Sequence, residues 1–479
     1  MKKLFYFFLL CMLLTLTSFK EKDLNPVLTI EGGQVIGVQT QTKGVIAYKG
    51  IPFAAPPVGS LRWKEPQPVI PWKGVKIADK YGAAAEQITW DPKSFYGREW
   101  RASGSVPFSE DCLYLNVWTP AAGQIHKKLP VAMWIHGGGY REGFAFEPEM
   151  DGGEDWASHG VILVSVTYRL GIMGFFTHPL LSAESPHGVS GNYGLLDQVA
   201  ALKWIHNNIA QFGGDPDNIT VFGQSAGAGS VQILSASPLS KNLISHAISM
   251  SGGGLSNFSL GTNNLDTAQS TNKKFMDYFK IKTLKEMRAL SFDKLIQMSK
   301  EYSDATKKRM FWGPVIDNYL SEGTFSEEAK AGKIADIPYM FGYTANDLFD
   351  MTKAVEDFCA LRSEQSSKPA FAYMFARPLP GDSSGAFHSS DLWYIFHSFR
   401  HSWRPFTSGD NALSNQMVNY WTNFAKFGNP NGTGKGIWTP DSAKSPKFMV
   451  FNVIGDKASF TMTGSPKYMG SSFKFDRSK

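Results

Sequence analysis

The sequence predicts an α/β fold: a mainly parallel central sheet covered by helices on both faces, with an N-terminal β-hairpin region. Three observations predict it. The apolar runs Pro130-Val-Ala-Met-Trp-Ile and Val161-Ile-Leu-Val-Ser-Val have the length and side chains of strands buried on both faces. From Gly194 to Phe212, the residues Leu195, Val199, Leu202, Ile205 and Ile209 fall along one side of a helix. Strand and helix patterns then alternate, as connections between parallel strands require.

Lys2 and Lys3 precede an apolar run from Leu4 to Leu14, followed by Thr-Leu-Thr-Ser at 15–18. A charged start, a short apolar stretch and small residues describe a signal peptide over residues 1–18. The competing reading is a membrane anchor, for which the run is short. Leu10 is too bulky before Cys11 for a lipoprotein signal. Secretion or periplasmic export is expected, with residues 19–479 as one domain and no membrane anchor after signal removal. The mature chain opens with Val27-Leu-Thr-Ile, Gln34-Val-Ile-Gly-Val and Val45-Ile-Ala-Tyr, and Gly32-Gly33 supplies a hairpin turn. The Pro-rich stretch from Ile51 to Trp72 reads as an extended surface loop. Beyond the central helix, Asp215-Pro-Asp-Asn turns the chain into the strand Ile219-Thr-Val-Phe. A late strand, Pro338-Tyr-Met-Phe-Gly, follows a polar helical region.

Composition excludes several classes. Apolar residues are 43% and charged residues 19% of 479, a balance that supports a packed core rather than disorder. The formal charge is +6, or +4 without Lys2 and Lys3, with no basic stripe interleaved with aromatics. Nucleic acid is therefore not an expected partner. Cys112 and Cys359 could pair, or both could be buried and free. No histidine cluster has metal-ligand spacing, so no metal or organic cofactor is expected.

In such sheets the chemistry sits at the carboxyl ends of strands. Gly223-Gln-Ser225-Ala-Gly227 follows a strand directly and matches a nucleophile elbow, a turn so tight that side chains flanking the Ser would clash. The second match, Gly381-Asp-Ser383-Ser-Gly385, follows Arg-Pro-Leu-Pro, which cannot end a central strand. Context therefore selects Ser225 and leaves Ser383 in a loop. His136-Gly-Gly-Gly-Tyr follows the strand ending at Ile135. Its backbone N–H groups at Gly138 and Gly139, with that of Ala226, are positioned to form an oxyanion hole.

In this arrangement an acid and then a histidine follow the nucleophile. His246 lies close to the elbow helix with no acid-bearing strand before it, and His397 and His401 fall among patterned aromatics. His388, in Gly385-Ala-Phe-His-Ser-Ser-Asp, occupies a loop from which an imidazole can reach the Ser. Asp347 lies just past the late strand, with Asp350 as its competitor.

Together these residues resemble the type B carboxylesterase family, which includes cholinesterases and bacterial para-nitrobenzyl esterases. The resemblance runs from about residue 27 to about 440. It rests on Tyr48-Lys-Gly-Ile-Pro-Phe-Ala-Ala-Pro-Pro-Val-Gly, Glu110-Asp-Cys-Leu-Tyr-Leu-Asn-Val, Trp134-Ile-His-Gly-Gly-Gly and Phe222-Gly-Gln-Ser-Ala-Gly. Asn192-Tyr-Gly-Leu-Leu-Asp-Gln, Phe212-Gly-Gly-Asp-Pro and Tyr420-Trp-Thr-Asn-Phe-Ala-Lys-Phe-Gly-Asn-Pro add to it. It implies an α/β-hydrolase fold, a Ser225–His388–Asp347 triad and a small-molecule ester as substrate. It also implies a supporting Ser251 near the acid, and structural pairs Arg62–Glu110 and Arg169–Asp197.

The departures from the family pattern carry information of their own. Asp347 stands where the family motif usually has Glu. Gln224 stands where cholinesterases have Glu beside the nucleophile, which disfavours cationic substrates. Cys112 matches a family half-cystine whose partner position is Ala85 here, so that disulfide is missing. Only 41 residues separate Asp347 from His388, which implies a shortened helical lid and a more open mouth. The expected activity is acyl transfer through Ser225. The alternatives are a non-catalytic binding or adhesion protein on the same fold, and an esterase acting on acyl groups of carbohydrates.

Overall fold

A computed structural model describes residues 25–89, 91–100, 106–146, 153–256, 264–308, 310–434 and 436–472. The expected signal peptide at 1–18, with Cys11, lies outside the described residues.

An eleven-stranded sheet forms the centre. In chain order its strands are β1 (Val38–Gln39), β2 (Ile46–Pro52), β3 (Tyr114–Thr119), β4 (Leu129–Ile135), β5 (Ile162–Val166), β6 (Gly214–Gln224), β7 (His246–Met250), β8 (Tyr339–Thr344), β9 (Ala370–Phe375), β10 (Phe448–Ile454) and β11 (Lys457–Thr463). Their spatial order is β11-β10-β9-β8-β7-β6-β4-β5-β3-β2-β1. Strands β4 to β10 run parallel to one another, and β1, β2, β3 and β11 pair antiparallel at the two sides. Every residue of β5, β8 and β9 is buried, as expected for strands covered on both faces. This is the α/β-hydrolase fold.

The hairpin signalled by Gly32-Gly33 forms as Val27–Ile30 against Gly33–Ile36, in a separate small sheet completed by Val75–Ile77. The central helix is α1 (Tyr193–Asn208), extended by a 3-10 turn over Ile209–Phe212. The turn at Asp215–Asn218 is absorbed into β6 as an irregularity, with register shifting between Gly214 and Ile219. The predicted strand therefore starts earlier than Ile219, because Gly214 pairs back onto Leu129.

Both cysteines in the described residues are free and buried, so packing rather than a disulfide holds this fold. The implied ion pairs are present. Arg62 donates Nε to Glu110 at 2.7 Å, and Arg169 clasps Asp197 with Nε and Nη2 at 2.8 and 2.7 Å. The Arg169–Asp197 pair is fully buried. Breaking it by Arg169→Met leaves a buried carboxylate without its cation and is expected to cost about 3–5 kcal/mol. The drop in the urea midpoint measures that loss.

Candidate active site

The elbow forms where β6 ends and helix α2 (Ala226–Ala236) begins, with Ser225 between them at φ 57°, ψ −121°. A non-glycine residue at positive φ is strained, and here the turn around it enforces the strain. Gly227 shows why the flanking positions must be bare. A Cβ there would sit 2.0 Å from the carbonyl oxygen of Ile135 at the end of β4. The Ser225 N–H donates to the Met250 carbonyl on β7 at 2.8 Å, which pins the turn to the sheet.

The glycine run leaves β4 and passes directly over this turn. A Cβ at Gly137 would lie 3.2 Å from Ser225 Cβ. Gly138 takes φ 94°, and a Cβ there would meet the Glu142 carbonyl oxygen at 2.0 Å. The backbone N–H groups of Gly138 and Gly139 donate to no acceptor among the described residues. Ala226 opens α2, so its N–H has no intrahelical acceptor. His136 is buried and neutral: burial pulls its pKa down to about 4, against a hydrogen bond with the Gly137 carbonyl that favours the proton. Its ring stacks on Tyr168, whose hydroxyl donates to the His136 carbonyl at 2.8 Å. This histidine is a brace for the loop.

Asp347 lies just past β8 and is fully buried. Its Oδ1 is 2.6 Å from His388 Nδ1 and accepts the Leu348 N–H at 2.8 Å. Its Oδ2 accepts from Ser251 Oγ at 2.6 Å and from the Thr344 N–H at 3.0 Å. Burial by itself pushes the carboxyl up. The His388 ring and the hydrogen bonds from His388, Ser251 and Thr344 outweigh it and hold the pKa below its ordinary value. The shorter acid therefore reaches the imidazole and is ionised. Asp350 is engaged elsewhere, accepting from Thr352 N and Oγ1 at 2.9 and 2.6 Å.

The other face of His388 carries a feature that residue spacing could not reveal. Its Nε2 lies 3.1 Å from Gln224 Nε2. With the Nδ1 proton directed to Asp347, Nε2 offers its lone pair and the Gln224 amide donates to it. Gln224 thus touches the histidine directly. The His388 carbonyl also accepts the Tyr96 hydroxyl at 3.1 Å, a second contact from far away in sequence. The competing histidines point elsewhere. His246 packs on Phe424, His397 pairs with Asp155 at 2.7 Å, and His401 Nε2 accepts from Arg400 Nε at 3.0 Å. Ser383 sits in an exposed loop, as its proline-rich approach predicted.

Comparison with known proteins identifies the family. The sequence profile of the Carboxylesterase family matches residues 24–359 and 350–463. The chain belongs to the carboxylesterase family. It is 37% identical to the fumonisin B1 esterase of Sphingopyxis macrogoltabida over 74% of its own length and 63% of that enzyme. It is 31% identical to liver carboxylesterase 1 of Oryctolagus cuniculus over 88% of this chain and 89% of that one. Among solved structures, a PNB esterase superposes with a TM-score of 0.77 at 28% identity, covering 91% of this chain and 97% of that one. Family membership makes this protein a serine hydrolase of carboxylic esters.

Beside the glycine run of this esterase lies an open cavity of about 500 Å³. Arg141 and Glu142 line it on the side of the glycine run, and Ile172, Phe292, Ile296 and Trp312 supply an apolar wall. This volume suits a drug-sized organic group. No helix among the described residues is long and apolar enough to cross a membrane.

Asp391, three residues past His388, is fully buried. Its Oδ2 accepts the Tyr373 hydroxyl at 3.0 Å, and its Oδ1 has no partner among the described residues. Burial pushes its carboxyl from 3.8 up to about 7. The folded chain therefore keeps a proton that the unfolded chain releases near pH 4. This group destabilises the fold progressively from about pH 4 to 7, by at most roughly 4 kcal/mol. Asp391→Asn is expected to gain stability over the wild type across that window and to match its trend below it. Paired urea titrations from pH 3 to 8 measure the difference.

Proposed function

We propose that this chain is a secreted serine carboxylesterase acting through an acyl-enzyme, exported by residues 1–18 and working as one domain over 19–479. Ser225 attacks the ester carbonyl while His388 Nε2 takes its proton. Gly138, Gly139 and Ala226 donate to the developing oxyanion, each donor worth about 3 kcal/mol. Asp347, steadied by Ser251, holds the Nδ1 proton of His388 and balances the imidazolium. His388 then protonates the leaving alcohol, and water repeats the sequence to free the acid.

The observation that carries this reading is the hydrogen-bonded line from Ser251 through Asp347 to His388, at 2.6 Å for each step, arriving beside the elbow of Ser225. In the resting state Nε2 is held by Gln224. The Gln224 amide must yield to the Ser225 hydroxyl as substrate enters, in keeping with catalytic contacts that tighten only in the complex. The cavity and the short stretch between Asp347 and His388 favour esters with a bulky acyl or alcohol group.

The test is stopped-flow hydrolysis of p-nitrophenyl butyrate with mass spectrometry of the quenched enzyme. A burst of p-nitrophenol and a butyryl adduct on the peptide containing Ser225 are expected. Linear release with no adduct overturns the acyl-enzyme. A substrate series should include fumonisin B1, which a relative is named for. The N-terminus of protein recovered from the native host reads the export claim directly: an intact Met1 in the cell pellet contradicts it.

A further inference from the structure

The chain beyond β11 returns to the site. The family profile ends at residue 463, and the segment that follows makes a set of bonds to the loop carrying the acid. Tyr468 Oη donates to the Asp347 carbonyl oxygen at 2.8 Å. The Met469 N–H donates to the Ala345 carbonyl at 2.8 Å, and Asn346 Nδ2 donates to the Gly470 carbonyl at 3.0 Å. Three consecutive residues, 345 to 347, are thus each bound by the tail.

The same segment reaches the loop carrying the histidine. Ser472 Oγ donates to the Ser384 carbonyl. Asn346 spans both loops: its N–H donates to the Ala386 carbonyl and its Oδ1 accepts the Ala386 N–H, each at 3.0 Å. One asparagine therefore holds the tail with its amide nitrogen and the histidine loop with its amide oxygen. The near end of the segment is tied down by Ser465, which donates to Glu356, and Pro466 is buried.

We propose that residues 465–472 form a C-terminal strap that fixes the acid loop against the histidine loop, with Tyr468 and Asn346 as positioning residues for the Asp347–His388 pair. The physical reason lies in the acid itself. Asp has one methylene fewer than Glu, so its carboxylate follows its backbone more closely and has less slack to correct an error in loop placement. A hydrogen bond on the Asp347 carbonyl restrains that backbone at the residue where placement matters. Small misplacements at a reacting centre are costly even when the chemical groups are intact. The Tyr468 hydroxyl also senses the acid directly: burial raises its pKa, and the Asp347 charge raises it further.

The inference rests on Asp347 and His388 being the working pair, and its test separates the two claims. Tyr468→Phe keeps the ring and removes the donor. A chain ending at Thr463 removes the strap. For p-nitrophenyl butyrate, kcat is expected to fall about fivefold in the first and about fiftyfold in the second, with KM within twofold of wild type. A tail that only tidied the sheet edge would shift thermal stability and leave kcat alone. The low-field proton NMR resonance of His388 Nδ1–H supplies a readout independent of turnover. It is expected sharp in the wild type and broadened or lost in both variants. If the shortened chain does not fold, Tyr468→Phe decides, because Tyr468 is half-exposed and its change spares the core. Unchanged kcat and an unchanged resonance in Tyr468→Phe overturn the strap. A wild type with the resonance but no esterase activity would overturn the catalytic reading and leave the strap standing.

Discussion

Ser225→Ala is expected to lower kcat for short-chain p-nitrophenyl esters by a factor on the order of 10⁴ or more, with the fold unchanged. Ser225 occupies a strained turn at φ 57°, and alanine can take the same backbone, so the variant loses the nucleophile and little else. The glycine-run donors remain, so a small residual rate above solution is expected, as when a nucleophile is removed but the oxyanion hole persists. Steady-state kinetics beside circular dichroism measure both halves. Retention of even a tenth of wild-type kcat would remove Ser225 from the mechanism. The same substitution at Ser383, exposed in its loop, is expected to leave kcat within twofold.

Asp347→Asn is expected to have the next largest effect, a fall in kcat of about 10⁴-fold with KM little changed. Asn keeps the size of Asp but presents either a donor to Nδ1–H or a neutral acceptor, and neither balances an imidazolium. The three hydrogen bonds on Oδ2, from Ser251 and from the Thr344 N–H and hydroxyl, and the two on Oδ1 select one ionised acid here. Asp350→Asn is the control: that side chain caps Thr352, Asn accepts the same bonds, and kcat should stay within about twofold. Equal losses from the two substitutions would show that the pairing with His388 is not what catalysis uses.

Much of the site was legible in the residues. The strand-then-glycine pattern picked out Ser225 over Ser383, because only one of the two matches follows a chain that can end a central strand. The run after Ile135 marked the glycine loop that passes over the elbow, because closely packed backbone leaves room only for glycine. The choice between Asp347 and Asp350 was different. Both lie past the same strand, three residues apart, and spacing is indifferent to where a carboxylate points. The tertiary structure separates them through contacts that begin 41 residues away at His388 and 96 away at Ser251.

Gln224 shows the same limit from the other side. Its type and its place beside the nucleophile were visible, but its contact with His388 joins residues 164 apart. The tail contact from Tyr468 to Asp347 spans 121. By itself the sequence determined the parallel sheet, the elbow and the glycine run, because each depends on local periodicity or on backbone strain within a few residues. The folded arrangement alone sets which carboxylate faces the imidazole, what holds its free nitrogen, and that the last described residues bond to the loop carrying the acid. Those are long-range pairings, and no local pattern encodes a partner that the chain meets only once the sheet has assembled.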